Sequence, residues 1–461
     1  MNRKLSRRAV FQGIFASPFA AGLAGAQTPA EFKVASRIIE VNGRAARVFG
    51  IASAGGGIGL SLMLGERFRA RVKNDLDVET LLHWHGLNPP SAQDGVPMLS
   101  QAALKPGESF DYDFVNTRSG THWMHSHVGL QEQQLLAAPL IVRETAEPLF
   151  DEQEHVVMLH DFTFRDPQEI LAELKSGGGG HASHAMGGME MAMLNDITFD
   201  AYLANDRTLA DPEIVRVGRA TQIRLRIING AAASNMWIDL GALQGELIAV
   251  DGNAVYPLKG SLFPLAIAQR ADIRVKLPEG SGAWPILFRP EGLSARTGIY
   301  LATQGAEIAR LASEGEVAPA VDLAQEMKLR SVAALPREPV TRTEILTLTG
   351  GGADYLWGLN GKSSMHETIF TVRENELIEV IMQNQTGMAH PMHLHGHYFK
   401  VVAVNNVPIE GALRDTVLVP PSTSVAIRFA AENPGNWAFH CHHLYHMNAG
   451  MMGAIRYSNA A

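Results

Sequence analysis

The chain has a single cysteine, Cys441, in the sequence NWAFHCHHLYHMNAGM. His440 and His442 flank this thiol, and His446 and Met451 follow it closely. A thiol that has no partner for an intramolecular disulfide is open to oxidation unless it is buried or bound to a metal. Imidazole, thiolate and thioether groups are all metal ligands. This segment therefore predicts a metal site.

Histidine pairs of the form H-x-H recur along the chain. They are His83/His85, His125/His127, His393/His395 and His440/His442. Alternate residues of a β-strand point to the same face, so each pair presents two imidazoles together. Eight imidazoles exceed the capacity of one ion, and imidazole suits copper, zinc, iron or nickel. The pairs therefore predict a cluster of three metal ions.

The thiol is predicted to face away from this cluster, because Cys441 stands between two residues that face it. On its own side Cys441 can meet His390, His446 and Met451. Two imidazoles, one thiolate and a weak axial thioether form an electron-transfer copper site. The residues that flank the thiol would then connect that copper to the cluster across a single residue in either direction.

An internal repeat indicates which parts of the chain meet at the cluster. The segments FRARVKN, IRLRIIN and IEVIMQN end in Asn74, Asn229 and Asn384, at equal intervals of 155 residues. Nine and eleven residues beyond the asparagine, the first and third copies have histidine, whereas the middle copy has Ile238 and Leu240. Three related domains are therefore expected, with the cluster between the first and the third and the middle one as a spacer.

The periodicity predicts an all-β fold. Long helical patterns are scarce, and short alternating strands broken by Gly, Pro and Asn recur. Each repeat unit therefore predicts an antiparallel β-sandwich. The predicted domains span residues 36–145, 146–320 and 340–458, and the middle domain is expected to hold no metal ligand.

The histidine motifs resemble those of the multicopper oxidases. H-x-H-G stands at residues 83–86, H-x-H at 125–127, H-x-x-H-x-H at 390–395 and H-C-H-x3-H-x4-M at 440–451. The resemblance runs from about residue 36 to the C-terminus and implies three cupredoxin-like Greek-key β-sandwich domains. It also implies four copper ions and a reaction in which four one-electron oxidations of a donor reduce O2 to water.

The same resemblance implies a role for each ligand in this sequence. Type 1 copper would bind to His390, Cys441, His446 and Met451. Type 2 copper would bind to His83 and His393. The type 3 pair would bind to His85, His125, His127, His395, His440 and His442. Cys441, His440 and His442 would also carry electrons between the centres, which makes them catalytic.

Reduction of O2 to water consumes protons, so a titratable group near the cluster is expected. Asp94 in QDGVP resembles the acidic residue near type 2 copper in that family, where a carboxylate could relay protons or hydrogen-bond a ligand water. An Asp before glycine is equally typical of a plain turn. Residues 443–447, HLYHM, lack the carboxylate that many relatives carry near the last histidines. His122, His397 and His443 fall outside the ligand pattern and are expected to pack or to orient ligands.

Residues 177–193, GGGGHASHAMGGMEMAM, bear on the electron donor. Thioethers select Cu(I), so one hypothesis is that this loop collects Cu(I) for oxidation, as in copper-tolerance members of the family. A flexible insertion that is rich in methionine by chance is the plain alternative. The rival functions are a laccase-like oxidase of phenols or aromatic amines, which needs an open cleft beside His446, and a copper-buffering protein.

The N-terminus predicts export. Residues 1–26 form a basic head, an apolar middle and an Ala-Gly-Ala site, as in a signal peptide. Arg7 and Arg8 favour the twin-arginine route over an ordinary secretory signal or a disordered tail. The net charge of −8 without a polybasic run argues against nucleic-acid binding, and no later run of about 18 apolar residues suggests a membrane span. A monomeric periplasmic protein is expected.

Overall fold

The computed structural model describes residues 29–53, 59–144, 152–177, 194–334, 339–364 and 366–458. β-Strands dominate these ranges, which confirms the all-β fold. The predicted signal peptide lies outside the described residues, and so does the Met/His-rich loop apart from Gly177. In the described ranges no helix combines the length and the apolar character needed to span a bilayer.

The first part of the chain forms two four-stranded sheets. Its strands are β1 (Ala30–Val41), β2 (Arg44–Ser53), β3 (Leu60–Met63), β4 (Arg67–Asn74), β5 (Leu82–His85), β6 (Ser109–Val115), β7 (Gly120–Ser126) and β8 (Ala137–Arg143). One sheet has the order β2-β1-β4-β6 and the other β3-β8-β7-β5. Phe68, Trp84 and Met124 belong to the core cluster of this part.

The middle part forms a six-stranded and a five-stranded sheet. Its elements are β9 (Glu152–Phe162), α1 (Pro167–Lys175), β10 (Ala201–Ala204), β11 (Glu213–Arg216), β12 (Gln222–Asn229), β13 (Met236–Asp239), β14 (Gly245–Val250), β15 (Asn253–Gly260), β16 (Leu262–Leu265), β17 (Arg270–Lys276), β18 (Ala283–Pro290) and β19 (Thr297–Ala302). The sheet orders are β10-β9-β12-β17-β14-β15 and β11-β19-β18-β13-β16. Ile238 and Leu240, which replace histidines in the repeat, are buried in its core.

The last part follows a short 3₁₀ turn at Glu326–Lys328 and again forms two sheets. Its elements are β20 (Arg342–Gly351), β21 (Leu356–Leu359), β22 (Thr368–Val372), β23 (Leu377–Asn384), β24 (His390–Leu394), β25 (Phe399–Val404), β26 (Val407–Pro408), β27 (Leu413–Arg414), β28 (Thr416–Val419), β29 (Ser424–Ala430), β30 (Asn436–Cys441), α2 (Leu444–Asn448) and β31 (Met452–Tyr457). The orders are β21-β20-β23-β29-β25-β26, with β27 beside β25, and β22-β31-β30-β24-β28.

The repeated asparagines have a structural cause. The Asn74 side chain donates to the carbonyls of Val78, at 2.8 Å, and Leu104, at 2.9 Å, and its Oδ1 accepts from the backbone two residues ahead. Asn229 and Asn384 form the same three bonds in their own parts. Each asparagine thus fixes the turn after its strand, and equivalent positions of the next strand, β5, β13 or β24, follow it at the same spacing. This explains why the histidines of β5 and β24 align in the repeat.

The edges of the first and last parts meet near these strands. The Ser91 hydroxyl donates to the carbonyl of Asn436 at 3.0 Å, and the Asn433 amide donates to the carbonyl of Pro89 at 3.1 Å. Asn448 of α2 reaches the carbonyl of Gly129 at 3.2 Å. These contacts bring β5 and β7 close to β24 and β30.

Candidate metal centres

The thiol site is assembled almost entirely from the last part. Cys441 Sγ lies 3.6 Å from Nδ1 of His390 and 3.8 Å from Nδ1 of His446, and the two Nδ1 atoms are 3.2 Å apart. All three side chains are fully buried. Three metal-binding atoms therefore converge on one point inside the protein, as a single ion requires.

The electrostatics of this site favour a bound cation. Burial lowers the pKa of His446 to about 3, so its imidazole is neutral and can act as a ligand at neutral pH. Burial also raises the pKa of the Cys441 thiol, so a thiolate forms here only beside a positive charge. The donor set thus fits a copper ion, which would displace the thiol proton.

Met451 lies at the end of the turn that follows α2. Its backbone N–H donates to the carbonyl of His446 at 2.9 Å, and its carbonyl accepts from the N–H of Cys441 at 3.0 Å. The side chain is fully buried in the same hydrophobic cluster as Cys441 and Trp357. On the other side, Thr386 Oγ1 lies 2.7 Å from Nε2 of His390 and fixes that ring.

The strand pleat separates the two faces of the tripeptide. Cys441 packs into the core of the last part, whereas the flanking histidines face the first part. The ring of His440 lies 5.0 Å, centre to centre, from that of His127, and the ring of His442 lies 5.0 Å from that of His125. One tripeptide therefore contributes to two separate sites.

Eight buried imidazoles converge where the first and last parts meet. The predicted pairs come from β5, from the end of β7, from the end of β24 and from the end of β30. Three of the groups whose donor atoms lie within 4.8 Å of one another are His83/His393/His395, His83/His85/His125 and His127/His395/His440. Two of these three groups combine histidines from both parts, so the cluster exists only at their interface.

Hydrogen bonds orient these rings toward the centre. The Nδ1 atoms of His83 and His393 donate to the carbonyls of Asp94, at 2.8 Å, and Asp415, at 2.9 Å. Their Nε2 atoms have no hydrogen-bond partner among the described residues. His85 is reversed: its Nε2 meets Asp415 at 3.1 Å, and its Nδ1 is the free atom. Buried unpartnered nitrogens that face one another are costly unless a metal binds them.

Asp94 bridges the first and last parts. It ends the 3₁₀ turn Ser91–Gln93, and its Oδ2 accepts from Nδ1 of His395 at 2.8 Å. Gly95 has a φ of +84°, and a Cβ there would lie 1.8 Å from the carbonyl of Leu82. The turn thus positions the Asp94 carboxylate next to the histidines. The interpretation of Asp94 as a turn residue is therefore compatible with its interpretation as an acidic residue near the copper.

Glu132 is a buried carboxylate that the sequence analysis did not assign. Its Oε2 lies 2.9 Å from Nδ1 of His125, and its Oε1 lies 3.7 Å from Nδ1 of His442. Burial, reinforced by the charge of Asp161, raises the pKa of Glu132 well above its ordinary value. A carboxylate of the first part thus lies beside His442, next to residues 443–447, which hold none. The sequence feature that could have pointed to Glu132 is its place five residues after His127 in HSHVGLQEQ.

Asp196 is a second missed residue, on the outer side of the thiol site. Its carboxylate oxygens lie 3.3 Å from Nε2 of His443 and 3.4 Å from Nε2 of His446, and the Tyr355 hydroxyl donates to it. Burial alone would raise the pKa of Asp196, but the two histidines hold it well below its ordinary value. Asp196 belongs to the middle part, which therefore does more than separate the other two.

The other unassigned histidines have structural partners. His443 stacks on His446 with ring centres 3.7 Å apart, and His397 Nε2 meets the Tyr457 hydroxyl at 2.7 Å. His122 Nε2 donates to the carbonyl of Ser119 at 3.1 Å. These contacts agree with the expected packing and orienting roles.

Family profiles described as multicopper oxidase match residues 33–147, 153–312 and 337–461. The multicopper oxidase MmcO of Mycobacterium tuberculosis is 30% identical over 407 residues, which cover 86% of this chain and 80% of that protein. The chain belongs to the multicopper oxidase family. It is accordingly a copper enzyme, an oxidoreductase that oxidises a donor and uses O2 as the acceptor.

This multicopper oxidase is similar to other proteins of the family. Copper resistance protein A of Escherichia coli is 26% identical, with coverage of 85% of this chain and 86% of that protein. The crystal structure of Fet3p, described as a multicopper oxidase that functions in iron import, superimposes with a TM-score of 0.80 at 18% identity, over 93% of this chain and 90% of that one. That structural likeness supports the cupredoxin-like fold of the oxidase.

Proposed function

We propose that this multicopper oxidase takes electrons from Cu(I) at a type 1 centre and passes them to a three-copper cluster that reduces O2 to water. The proposed type 1 ligands are His390, Cys441, His446 and Met451. The proposed type 2 ligands are His83 and His393. The proposed type 3 ligands are His85, His125, His127, His395, His440 and His442. The count is one type 1, one type 2 and two type 3 ions.

One observation carries the proposal: the side chains on the two faces of the tripeptide at 440–442 belong to two different donor clusters. Bound copper would supply one-electron redox chemistry at both. Burial lowers the pKa of His390 and His446 and so keeps both imidazoles neutral, and it excludes water from the thiol. It also offers a covalent path of one residue from Cys441 to His440 or His442.

The two ends of the Met/His-rich segment support Cu(I) as the donor. Before the segment, α1 packs Ile170 and Leu174 into the hydrophobic cluster that contains Cys441. After it, Asp196 contacts His446 at 3.4 Å, only three residues beyond Met193. The described residues on both sides of the segment thus lie at the thiol site, and thioethers are soft ligands that select Cu(I).

A laccase-like oxidation of phenols or aromatic amines is the second candidate. Asp196 also supports it, because an ionised carboxylate next to His446 could accept the proton that a phenol loses on oxidation. A copper-buffering role is disfavoured by the complete cluster, and steady O2 consumption would exclude it.

The experiment compares donors in one variant. Replacing Met186, Met189, Met191 and Met193 with leucine keeps the bulk of the side chains and removes the soft ligands. We expect kcat/KM for Cu(I) to fall at least tenfold while phenol oxidation is retained. Met98→Leu is the matched control, because Met98 is exposed and lies in the first part. Loss of phenol oxidation with normal Cu(I) oxidation would contradict the proposal.

O2 and protons must also reach the cluster. A cleft of about 410 Å³ is lined by His127 and, among others, by Lys175, His366 and Met447. His127 is 5% exposed, whereas each of the other seven cluster histidines is at most 2% exposed. We propose that O2 approaches along this cleft, and that Asp94 and Glu132 supply protons from opposite sides of the cluster.

The remaining proposals concern organisation and location. The three parts are proposed as cupredoxin-like domains at residues 36–145, 146–320 and 340–458. Residues 1–26 are proposed as a twin-arginine signal that directs a monomeric enzyme to the periplasm. Export that fails after replacement of Arg7 and Arg8 by lysine would support that route.

A further inference from the structure

A buried chain of charges connects the middle part to the copper cluster. Arg270, the first residue of β17, is completely buried. Its Nη1 lies 2.7 Å from Oδ1 of Asp415, and its Nη2 contacts Oδ2 of the same carboxylate. Burial alone would lower the pKa of Arg270, but the charges of Asp415 and Asp251 raise it above its ordinary value. The guanidinium is therefore charged and holds Asp415 at two points.

Asp415 in turn holds two cluster histidines. Its Oδ1 lies 3.1 Å from Nε2 of His85, and its carbonyl accepts from Nδ1 of His393 at 2.9 Å. Thr416 Oγ1 donates to Oδ1 of Asp415 at 2.9 Å and lies 3.3 Å from His85 and 3.1 Å from His393. One carboxylate and its neighbour thus orient one histidine from the first part and one from the last.

The backbone of the first part is shaped to admit this ion pair. Gly86, the glycine of the H-x-H-G motif, has a φ of +90°. A Cβ at Gly86 would lie 2.6 Å from Nη2 of Arg270 and 3.1 Å from Oδ2 of Asp415. Arg270 Nε also donates to the carbonyl of Thr121 on β7 at 3.1 Å. All three parts therefore meet at the Arg270 guanidinium.

We propose that Arg270 is a positioning residue for the cluster. Arg270 fixes the Asp415 carboxylate, which engages Nε2 of His85. His85 would therefore present Nδ1 to a bound metal, whereas His83 and His393 would present Nε2. The middle part, which supplies no ligand, thereby sets the geometry of a site formed by the other two. The proposal rests on the ligand set proposed above.

The test replaces Arg270 and a matched arginine. Arg270→Gln removes the charge, and Arg270→Lys keeps the charge but loses the two-point contact. Arg226→Gln is the control: Arg226 is equally buried on the adjacent strand β12 and also reaches Thr121, at 3.1 Å. Its acidic partners are Glu154 and Asp272 instead of the carboxylate that holds His85.

The readouts are copper per chain, the blue absorption of the thiolate copper, the electron paramagnetic resonance spectrum of the cluster copper, and kcat. We expect Arg270→Gln to change the cluster spectrum and lower kcat at least tenfold, Arg270→Lys to change them less, and both to keep the blue absorption. Arg226→Gln should lose stability but keep the wild-type spectrum and kcat.

Two outcomes would overturn the proposal. One is an Arg270→Gln enzyme with full copper, a wild-type cluster spectrum and wild-type kcat, and the other is the same spectral change in Arg226→Gln. If Arg270→Gln does not fold, the copper content, cluster spectrum and kcat of Arg270→Lys test the proposal in its place. A wild-type chain that binds no cluster copper would instead overturn the proposed ligand set.

Discussion

The thiol site and the histidine cluster are adjacent, yet they are built in different ways. His390, Cys441, His446 and Met451 all lie within 62 residues of the last part of the chain. The cluster takes half of its imidazoles from the first part and half from the last. The thiol site therefore depends on one folded sandwich, whereas the cluster depends on how two sandwiches dock.

The two sites also differ in the number of carboxylates that contact their histidines. Asp196 is the acidic neighbour of the thiol site and contacts His446 from outside. Within the described ranges the cluster has three such residues, Asp94, Glu132 and Asp415, which contact different histidines. An interface site thus requires more orienting partners than a site inside one sandwich, because no single backbone fixes its ligands.

The largest expected effect comes from Cys441→Ser. A serine hydroxyl does not ionise to a soft ligand, so the blue absorption and donor oxidation should be abolished. Copper in the cluster should remain, because its histidines face the other side of the strand. Absorption spectra, copper analysis and O2 uptake check this prediction.

The mirror-image variant is His127→Ala. It removes a cluster imidazole without touching the core around Cys441, so the blue absorption should persist while cluster copper and O2 reduction are lost. If either variant empties both sites, the two regions are not independent as the comparison requires.

Glu132→Gln is expected to lower turnover by roughly 100- to 10,000-fold, the usual contribution of a positioned general acid. The amide keeps the size of the side chain beside His125 but cannot donate a carboxyl proton. Because the pKa of Glu132 is raised, the acid form should support turnover at neutral pH and be lost as pH rises through that pKa. The variant should lack this decline.

The control for Glu132→Gln is the rate at which the electron donor reduces the type 1 copper. Anaerobic reduction of the type 1 copper should proceed at the wild-type rate in Glu132→Gln, because this carboxylate contacts His125 and His442 of the cluster. A slower anaerobic reduction would mean that Glu132 acts on the whole protein instead of the cluster alone.

As the pH falls, the cluster should lose its copper before the thiol site does. Burial lowers the pKa of His440 to about 4 and that of His395 well below its ordinary value, so both are neutral in the folded protein. Below about pH 6.5 the unfolded chain binds more protons, and each such histidine costs roughly 1.4 kcal/mol of stability per pH unit down to its folded pKa. Seven histidines of the cluster have a lowered pKa, against two at the thiol site.

Dialysis against a chelator at pH 7, 6 and 5 tests this difference. Copper per chain should fall toward one, with the blue absorption retained, before that absorption fades. Simultaneous loss of colour and cluster copper would show that docking of the two sandwiches also controls the thiol site.

The smallest expected effect is that of Met451→Leu. Leucine has a similar volume, so packing is conserved, but the loss of a weak donor to Cu(II) should raise the type 1 potential. About 59 mV corresponds to a tenfold shift in a one-electron equilibrium, and a change of that order is expected in a redox titration. Met392→Leu is the control, because Met392 is equally buried and pairs with Cys441 across β24 and β30. An unchanged potential in Met451→Leu would contradict the axial assignment.

Much of both sites could be predicted because their residues follow a strand period. The alternation of His440, Cys441 and His442 predicted two faces, and the structure has those two faces. The place of Glu132 five residues after His127 was a signal for a contact with the first part only, since its contact with His442 joins residues 310 positions apart in sequence. Arg270 could not be predicted, because a lone arginine in a strand carries no spacing signal.

The sequence by itself determined which atoms can bind metal and which of them share a strand face, because side-chain direction in a strand is set by local backbone geometry. Only the tertiary structure decided which carboxylates orient those ligands and that the middle part reaches them through Arg270. Those contacts arise where separate sandwiches pack, and packing depends on the shapes of whole surfaces instead of on any short pattern of residues.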